Sequence, residues 1–320
     1  MSSNFLSSNG ATSDNALGIA PETRTHVYPA IDSSNFVGAL QEKVAFVTGA
    51  GRGIGKSIAL ALAQSGAHVA LLSRTKSELE EVAEIIKTKF NRKALVFPVD
   101  TTKESAVENA FSTTERELGK VTIVVANAGY GLWRPFVYMD FSGEWWKEME
   151  LNVKAPMFLA QLAIKSMRAN NEGTFIAISS SAACISSAGV SAYHTSKTAL
   201  TRAIACVQME LDAEGKSGVH LYALHPGLVQ TSLAAGGNNL HEDLEKMTPG
   251  TVKNITAWVN TFVNPPELAA QTCVYLASGK AKDLRGRYID AEKDIEAVVE
   301  QAEIVRKENL YDLSIRTLGQ

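Results

Sequence analysis

Tyr193 and Lys197 stand four residues apart in Tyr193-His-Thr-Ser-Lys197. On a helix, that spacing puts a phenol and an ammonium on one face. A free tyrosine ionises near pH ~10, too high for acid–base work at neutral pH. A neighbouring ammonium favours the phenolate and lowers that value, which makes a tyrosine usable as a proton donor or acceptor. Ser180 lies thirteen residues before Tyr193 and closes the apolar run Thr174-Phe-Ile-Ala-Ile178. The carboxyl ends of parallel strands are where open sheets bind ligands. Taken singly, these residues also fit a half-exposed helix face and an ordinary serine after a strand.

A second group of residues suits phosphate. Thr48-Gly49-Ala50-Gly51-Arg52-Gly53-Ile54-Gly55-Lys56-Ser57 follows the strand-like run Val44–Thr48. Such a turn aims backbone N–H groups and the positive end of the next helix at an anion. Glycine is needed wherever a Cβ would block the pyrophosphate or the close helix–strand contact. Two readings compete with a dinucleotide site. One is a tight turn with no ligand. The other is a triphosphate loop, since Ala50-x4-Gly55-Lys56-Ser57 nearly fits that pattern and Asp100 could serve as its magnesium-binding acid. That pattern wants glycine at the first position, and the extra glycines favour the dinucleotide turn.

Positioning these groups requires alternating strands and helices. Short apolar runs predict strands at Val44–Thr48, His68–Leu72, Ala94–Phe97, Val121–Ala126, Thr174–Ile178, Val219–Leu224 and Arg287–Asp290. Amphipathic segments lie between them. One follows a capping box read in Ser77-Glu-Leu-Glu80 and presents Leu79, Val82, Ile86 and Phe90; another ends at Gly119. Longer ones run near Glu144–Arg168, Ala192–Glu214 and Pro266–Ser278. The expected fold is α/β: a single Rossmann-like doubly wound domain, with a seven-stranded parallel sheet covered by helices on both faces. Its expected span is residues 41–292, near the upper size for one core. Residues 1–40 are read as a disordered N-terminus and an extended arm, with Val27, Tyr28, Ile31 and Phe36 able to pack on the body; residues 293–320 are read as a helical tail, exposed or at an interface.

Composition narrows the class. The chain has 320 residues, 45% hydrophobic and 20% charged, enough apolar matter for a core. A net charge of −3 gives no basic field for nucleic acid or a membrane surface. The apolar runs are too short to span a bilayer, and MSSNFLSSNG lacks the features of a secretory signal. Cys184, Cys206 and Cys273 fit neither a disulfide framework nor a metal cluster, so a reducing, cytoplasmic setting is expected with no metal.

With these motifs in order, the sequence resembles the classical short-chain dehydrogenases/reductases over roughly residues 42–290. The resemblance rests on Thr48-Gly49-x3-Gly53-Ile54-Gly55, Asp100, Asn127-Ala128-Gly129, Asn152 in Leu151-Asn-Val-Lys154, Ser180, Tyr193-x3-Lys197 and Pro226-Gly227-x-Val229-x-Thr231. It implies hydride transfer between NADP(H) and a ketone, aldehyde or alcohol. Tyr193 would be the general acid or base, Lys197 would lower the tyrosine pKa and bind the nicotinamide ribose, and Ser180 would hydrogen-bond the substrate oxygen. Asn152 would hold a water in a proton relay, although a mid-helix asparagine also reads as a structural kink. The cofactor would contact Gly49, Gly51, Arg52, Gly53, Ile54, Gly55, Ser73, Arg74, Asp100, Thr101, Asn127, Ala128, Gly129, Tyr193, Lys197, Pro226, Gly227, Val229 and Thr231, with Ile178 lining its nicotinamide half.

Family members that use NAD usually carry an acid at the end of the second strand. Ser73 stands there, followed by Arg74, and Arg52 lies within reach, so the expected cofactor is NADP(H). The substrate loop would span about 232–265, and Tyr130, Trp133, Cys184 and His225 are candidate pocket walls; Trp145 and Trp146 read as helix packing or an interface. The aromatic mouth suggests a bulky, apolar substrate. The resemblance extends to fungal members, some of them in specialised metabolism, and implies a homo-oligomer built on the two long helices. A nicotinamide-binding regulatory or scaffold protein is the alternative from another class, although such a protein would need none of Ser180, Tyr193 and Lys197.

Overall fold

A computed structural model describes residues 18–231 and 239–315. The strands are β1 (Val44–Thr48), β2 (His68–Ser73), β3 (Ala94–Pro98), β4 (Val121–Ala126), β5 (Gly173–Ile178), β6 (Val219–His225) and β7 (Tyr288–Asp290). They form one parallel sheet in the order β3-β2-β1-β4-β5-β6-β7. All seven strands read from the sequence are present, with ends moved by a residue or less. The helices are α1 (Gly53–Gln64), α2 (Lys76–Phe90), α3 (Glu104–Leu118), α4 (Trp146–Met149), α5 (Ala155–Asn170), α6 (Ser191–Ala213), α7 (Leu244–Met247), α8 (Thr251–Val259), α9 (Pro266–Ala277), α10 (Ile295–Val299) and α11 (Ala302–Lys307).

The strands are apolar on both faces because both faces are covered, as a parallel sheet with crossover helices requires. In β1, Ala45 and Val47 join Ile58 and Leu62 of α1, while Val44 and Phe46 point the other way, toward Phe111 of α3 and Leu159 of α5. The same period of two divides β4: Ile123 and Val125 face the first core, Val124 and Ala126 the second. Strand order reverses around β1, which pairs with β2 on one side and β4 on the other. That switch point opens a crevice at the carboxyl edge of the sheet, the usual ligand position in such folds.

Several local expectations are corrected. The Ser77–Glu80 capping box does not form, because α2 already starts at Lys76. Its N-cap is Thr75, which makes no side-chain cap bond. The stretch 24–40 is not extended: it contains 3₁₀ turns at Pro29–Ile31 and Ser33–Phe36, and it buries Tyr28, Ile31, Phe36 and Leu40 against the first core. The segment after residue 293 is not an exposed helix, since Ile295 and Val298 of α10 and Ala302 and Val305 of α11 join the same core. The two ends meet: Tyr28 Oη donates to the Lys293 carbonyl at 3.2 Å and accepts from Ile295 N at 2.9 Å, and Arg24 pairs with Asp294 at 2.7 Å. The long helix expected over 144–168 is broken into α4 and α5 by π turns at Phe141–Trp145 and Glu150–Lys154. The expectation of disorder over residues 1–17 lies outside the described residues, as does part of the substrate loop, 232–238.

Candidate active site

β1 delivers the glycine turn, and β4 locks it. Asn127 Nδ2 donates to the carbonyls of Thr48 (2.9 Å) and Gly49 (3.3 Å). In return, the Thr48 hydroxyl accepts from the backbone N–H groups of Asn127 and Ala128, both at 3.0 Å. Gly49 has φ +65° and Gly55 presses on it, so that a Cβ at Gly55 would overlap the Gly49 carbonyl. Gly53 (φ +54°) is open by contrast: the nearest atom to a Cβ there is Thr231 Cγ2, at 3.9 Å. The turn on one side and the Pro226–Thr231 loop on the other therefore face each other across the crevice. Arg52 caps α1 in extended conformation with no side-chain cap bond, and Thr101 lines a narrow cavity with Thr48, Ala126 and Ala128.

At the β2 end of the crevice, Gly51 abuts a pair of side chains. A Cβ on Gly51 would lie 2.9 Å from both Cβ and Oε2 of Glu78 and 3.2 Å from Ser73 Oγ. Arg52 Nη1 is 4.0 Å from Glu78 Oε1. An acid therefore does lie beside Arg52, contrary to what the residues around the end of β2 indicate. The Asp100 carboxyl accepts from the Thr102 backbone N–H (2.9 Å) and hydroxyl (2.8 Å). The backbone bond first, then the hydroxyl and the Arg74 charge, hold Asp100 below the usual carboxylate range against the opposing effect of burial.

At the opposite end of the crevice the structure brings Ser180, Tyr193, Lys197 and Asn152 together. Ser180 follows β5, and its Oγ accepts from Ala182 N at 3.1 Å and hydrogen-bonds the Tyr193 side chain. Lys197 Nζ is buried, donates to the Ile178 carbonyl at 2.8 Å and sits 5.6 Å from the Tyr193 ring centre. Asn152 lies in the second π turn, where the regular helical ladder is interrupted. Its side chain accepts from Tyr130 N (2.9 Å) and donates to Tyr130 O (2.7 Å) and Ser196 Oγ (3.0 Å). The kinked backbone and the placement at the site are thus one feature. Gly129 lies beside both groups: a Cβ there would stand in ordinary contact with Asn152 Oδ1 (3.4 Å) and Lys197 Nζ (3.7 Å).

The electrostatics differ from the simple picture of an ammonium acidifying a phenol. Burial pushes Tyr193 up to about 12, with the Ser180 bond pulling the other way and Glu148 adding to the rise. Burial also pushes Lys197 down to about 8, opposed by Glu148. Desolvation is the largest effect on both groups.

Among the pocket walls, Trp133 packs edge-on against Trp258 (6.3 Å) within an apolar cluster containing Leu240, Leu244 and Phe262. His225 is buried in a network, with Nδ1 accepting from Ser181 N and Nε2 3.2 Å from Glu292 Oε2. Cys184 is exposed and hydrogen-bonds Tyr288. Trp145 and Trp146 stack with Phe141 on the outside, and Trp146 is half exposed. Sequence reasoning missed Asn264. Its Oδ1 accepts from Leu228 N at 2.7 Å and its Nδ2 donates to Thr25 O at 3.2 Å, fixing the Pro226–Thr231 loop to the N-terminal segment. It missed Glu78 and Glu148 as well, both of which lie at ordinary helix positions.

A family model described as short chain dehydrogenase matches residues 43–240. The chain is 33% identical over 306 residues to a short chain dehydrogenase of the fungus Pseudocercospora fijiensis, covering 91% of this chain and 95% of that one. It is 31% identical over 296 residues to a short chain dehydrogenase of Monascus purpureus, covering 90% and 94%. Among solved structures, it is similar to a putative NAD(P)-dependent gluconate 5-dehydrogenase from Beutenbergia cavernae that carries NADP at low occupancy. That match has a TM-score of 0.67 and 27% identity, and covers 80% of this chain and 97% of the other.

Asn264 gives the first test. Asn264→Ala leaves the half-buried Leu228 N–H without its acceptor, which costs about 1–3 kcal/mol. Urea unfolding should show a loss of that size; an unchanged midpoint and slope would remove Asn264 as a strut of the loop.

Proposed function

Because the chain belongs to the short chain dehydrogenase family, we propose that it is an NADP(H)-dependent oxidoreductase interconverting a ketone or aldehyde and its alcohol. The observation that carries this reading is the convergence of Ser180, Tyr193 and Lys197 at the end of the crevice whose other end holds the glycine turn. The crevice suits a dinucleotide: a Cβ at Gly53 would meet nothing nearer than Thr231 Cγ2 at 3.9 Å, and the N-terminus of α1, whose cap residue Arg52 makes no side-chain cap bond, can receive an anion. The nicotinamide, when bound, supplies or accepts the hydride.

The chain's own groups handle the oxygen. In reduction, the Tyr193 hydroxyl gives its proton to the carbonyl oxygen as charge develops there, and Ser180 Oγ–H donates a hydrogen bond to the same oxygen. Lys197, held by the Ile178 carbonyl, stabilises the phenolate left behind and binds the ribose hydroxyls. Asn152 holds the Tyr130 turn beside them and provides the relay position that returns a proton to Lys197. In oxidation the same protons move in reverse. The substrate is a small molecule, bulky and apolar, seated between the aromatic cluster of Trp133 and Trp258 and the exposed Cys184. A cytoplasmic place in fungal specialised metabolism fits the fungal relatives, and no helix among the described residues is long and apolar enough to cross a membrane.

Tyr193→Phe removes the proton donor and hardly changes volume. Turnover on an aldehyde and ketone panel, followed by nicotinamide absorbance, should fall about 10²–10⁴-fold with NADPH affinity nearly kept. A variant retaining most of the activity refutes the assignment.

NADP(H) is favoured by Arg74 and Arg52, with Glu78 working against them. A charged hydrogen bond contributes about 1.5–3 kcal/mol, roughly one to two decades of affinity. Ser73→Asp with Arg74→Leu should weaken NADPH at least about tenfold and spare NADH, whereas Glu78→Gln should tighten NADPH alone. Wild type that already prefers NADH in titration calorimetry would make both arginines solvated surface charges.

Assembly into a dimer or tetramer is supported by the apolar side chains that Phe136, Val137, Phe141, Trp146 and Met209 expose around α4 and on α6. Light scattering should give a mass of two or four chains; a stable monomer at micromolar concentration argues against it.

A further inference from the structure

Glu148 is the one acid of α4's single turn that faces inward. Its neighbour two residues back, Trp146, is half exposed, whereas Glu148 is 0% exposed. One carboxyl oxygen, Oε1, accepts from the Leu132 backbone N–H at 3.0 Å. The other, Oε2, is buried and has no hydrogen-bond partner among the described residues. Buried polar atoms left without a partner are rare, and each calls for a reason.

The surroundings supply one. Leu132 follows Gly131, whose main chain lies against the phenol ring: a Cβ on Gly131 would stand 2.9 Å from Tyr193 Cδ2. The turn over residues 129–132 is therefore clamped from two sides, by Asn152 at Tyr130 and by Glu148 at Leu132. The charged and titratable groups that interact with Glu148 come from three elements. They are Lys197 and Tyr193 on α6, Tyr130 in the turn, and Glu144 in the first π turn. Glu144 is itself held by Arg134 at 2.8 Å. Lys197 is the cation among the groups acting on Glu148, and its ammonium bonds the Ile178 carbonyl.

We propose that Glu148 is a positioning residue for the reaction, seating the turn under Tyr193 with one oxygen and, with the other, holding a proton or a charge that biases the Tyr193–Lys197 pair. The proposal rests on the reading that this pair is catalytic. It concerns a carboxyl that touches neither substrate nor cofactor, so its effect passes through the other two groups. Burial pushes Glu148 up to about 8, against the opposing pull of the Leu132 N–H and of Lys197. Near neutral pH the carboxyl thus keeps its proton, and the anion appears as pH rises through that value. An anionic Glu148 raises the pKa of both Tyr193 and Lys197. The phenol then resists ionisation just when alkaline conditions would promote it, and the ammonium is retained.

Glu148→Gln keeps an acceptor for Leu132 N–H and abolishes the charge. Infrared difference spectra of the cofactor-free protein, taken from about pH 6 to about pH 10, should show a protonated-carboxyl band in wild type that titrates near 8 and is missing from Glu148→Gln. In Lys197→Met, loss of the neighbouring cation should move that midpoint up by about half a unit or more. In alcohol oxidation with NADP⁺, Glu148→Gln should shift the alkaline limb of the kcat profile to lower pH. The band and its response to Lys197→Met test the protonation and the coupling, while a purely structural Glu148 leaves the oxidation limb where it is. The absence of a band that Glu148→Gln removes, a midpoint indifferent to Lys197→Met, or an oxidation limb that stays or moves upward overturns the proposal. Tyr193→Phe in the same assay separates the two ideas: retained turnover refutes the catalytic pair, whereas lost turnover with unaltered Glu148→Gln behaviour refutes Glu148 alone.

Discussion

The Thr48–Asn127 knot is the interaction on which the carboxyl edge of this sheet depends. One hydroxyl takes two backbone N–H groups from the end of β4, and one side-chain amide returns two bonds to the carbonyls that open the glycine turn. β1 and β4 are neighbours in space but far apart in sequence, so nothing local would hold their ends in step. The knot does so at the point where strand order reverses. It also explains why Gly49 and Gly55 cannot carry side chains: the amide and the Gly49 carbonyl already occupy that space.

From that fixed corner the crevice is built outward in two directions. Toward the end of β2, the turn meets the first turn of α2, where Ser73, Glu78 and Arg52 converge on Gly51. Toward α6, Gly129 and Gly131 pass in front of Lys197 and Tyr193, pinned by Asn152 and Glu148. The far wall is tied down from a distance. Asn264 links Leu228 to Thr25, and the N-terminal segment in turn grips the chain just after β7 through Tyr28 and Arg24. Residues that precede the first strand thus help fix a loop some two hundred positions later.

What the sequence disclosed follows from this construction. Strands buried on both faces are continuous apolar runs, and glycines that must be glycine recur at fixed spacing, so the sheet and the turn could be read directly. Tyr193 and Lys197 were legible because both sit on one helix, where spacing alone fixes geometry. Glu78, Glu148 and Asn264 were not, because their partners lie on other elements and an acid on a short helix looks solvated until its neighbours are known. The capping box failed for a similar reason: Ser77 has the right companion at Glu80, but the helix starts two residues earlier and Thr75 takes the cap position. The stretch 24–40 and the segment after 293 looked like appendages because each exposes part of its surface; the apolar part of each is buried against the same core.

Burial, rather than pairing, sets the electrostatic character of the site. Lys197 and Tyr193 are adjacent, yet each is shifted toward its neutral form, because the cost of removing a charge from water exceeds the gain from a single neighbour at this distance. Glu148 obeys the same rule from the acid side. Near neutral pH, Tyr193 and Glu148 are therefore uncharged, and Lys197 carries the single positive charge of the three. Such an arrangement is poised to respond to whatever charge enters the crevice, since a nearby cation or a developing oxyanion meets groups whose protonation is easily moved and little bulk water to screen it. Fixing the backbone rigidly while leaving the protons labile is a division of labour the fold makes possible: the knot at Thr48 and Asn127 supplies the rigidity, and desolvation at Tyr193, Lys197 and Glu148 supplies the lability.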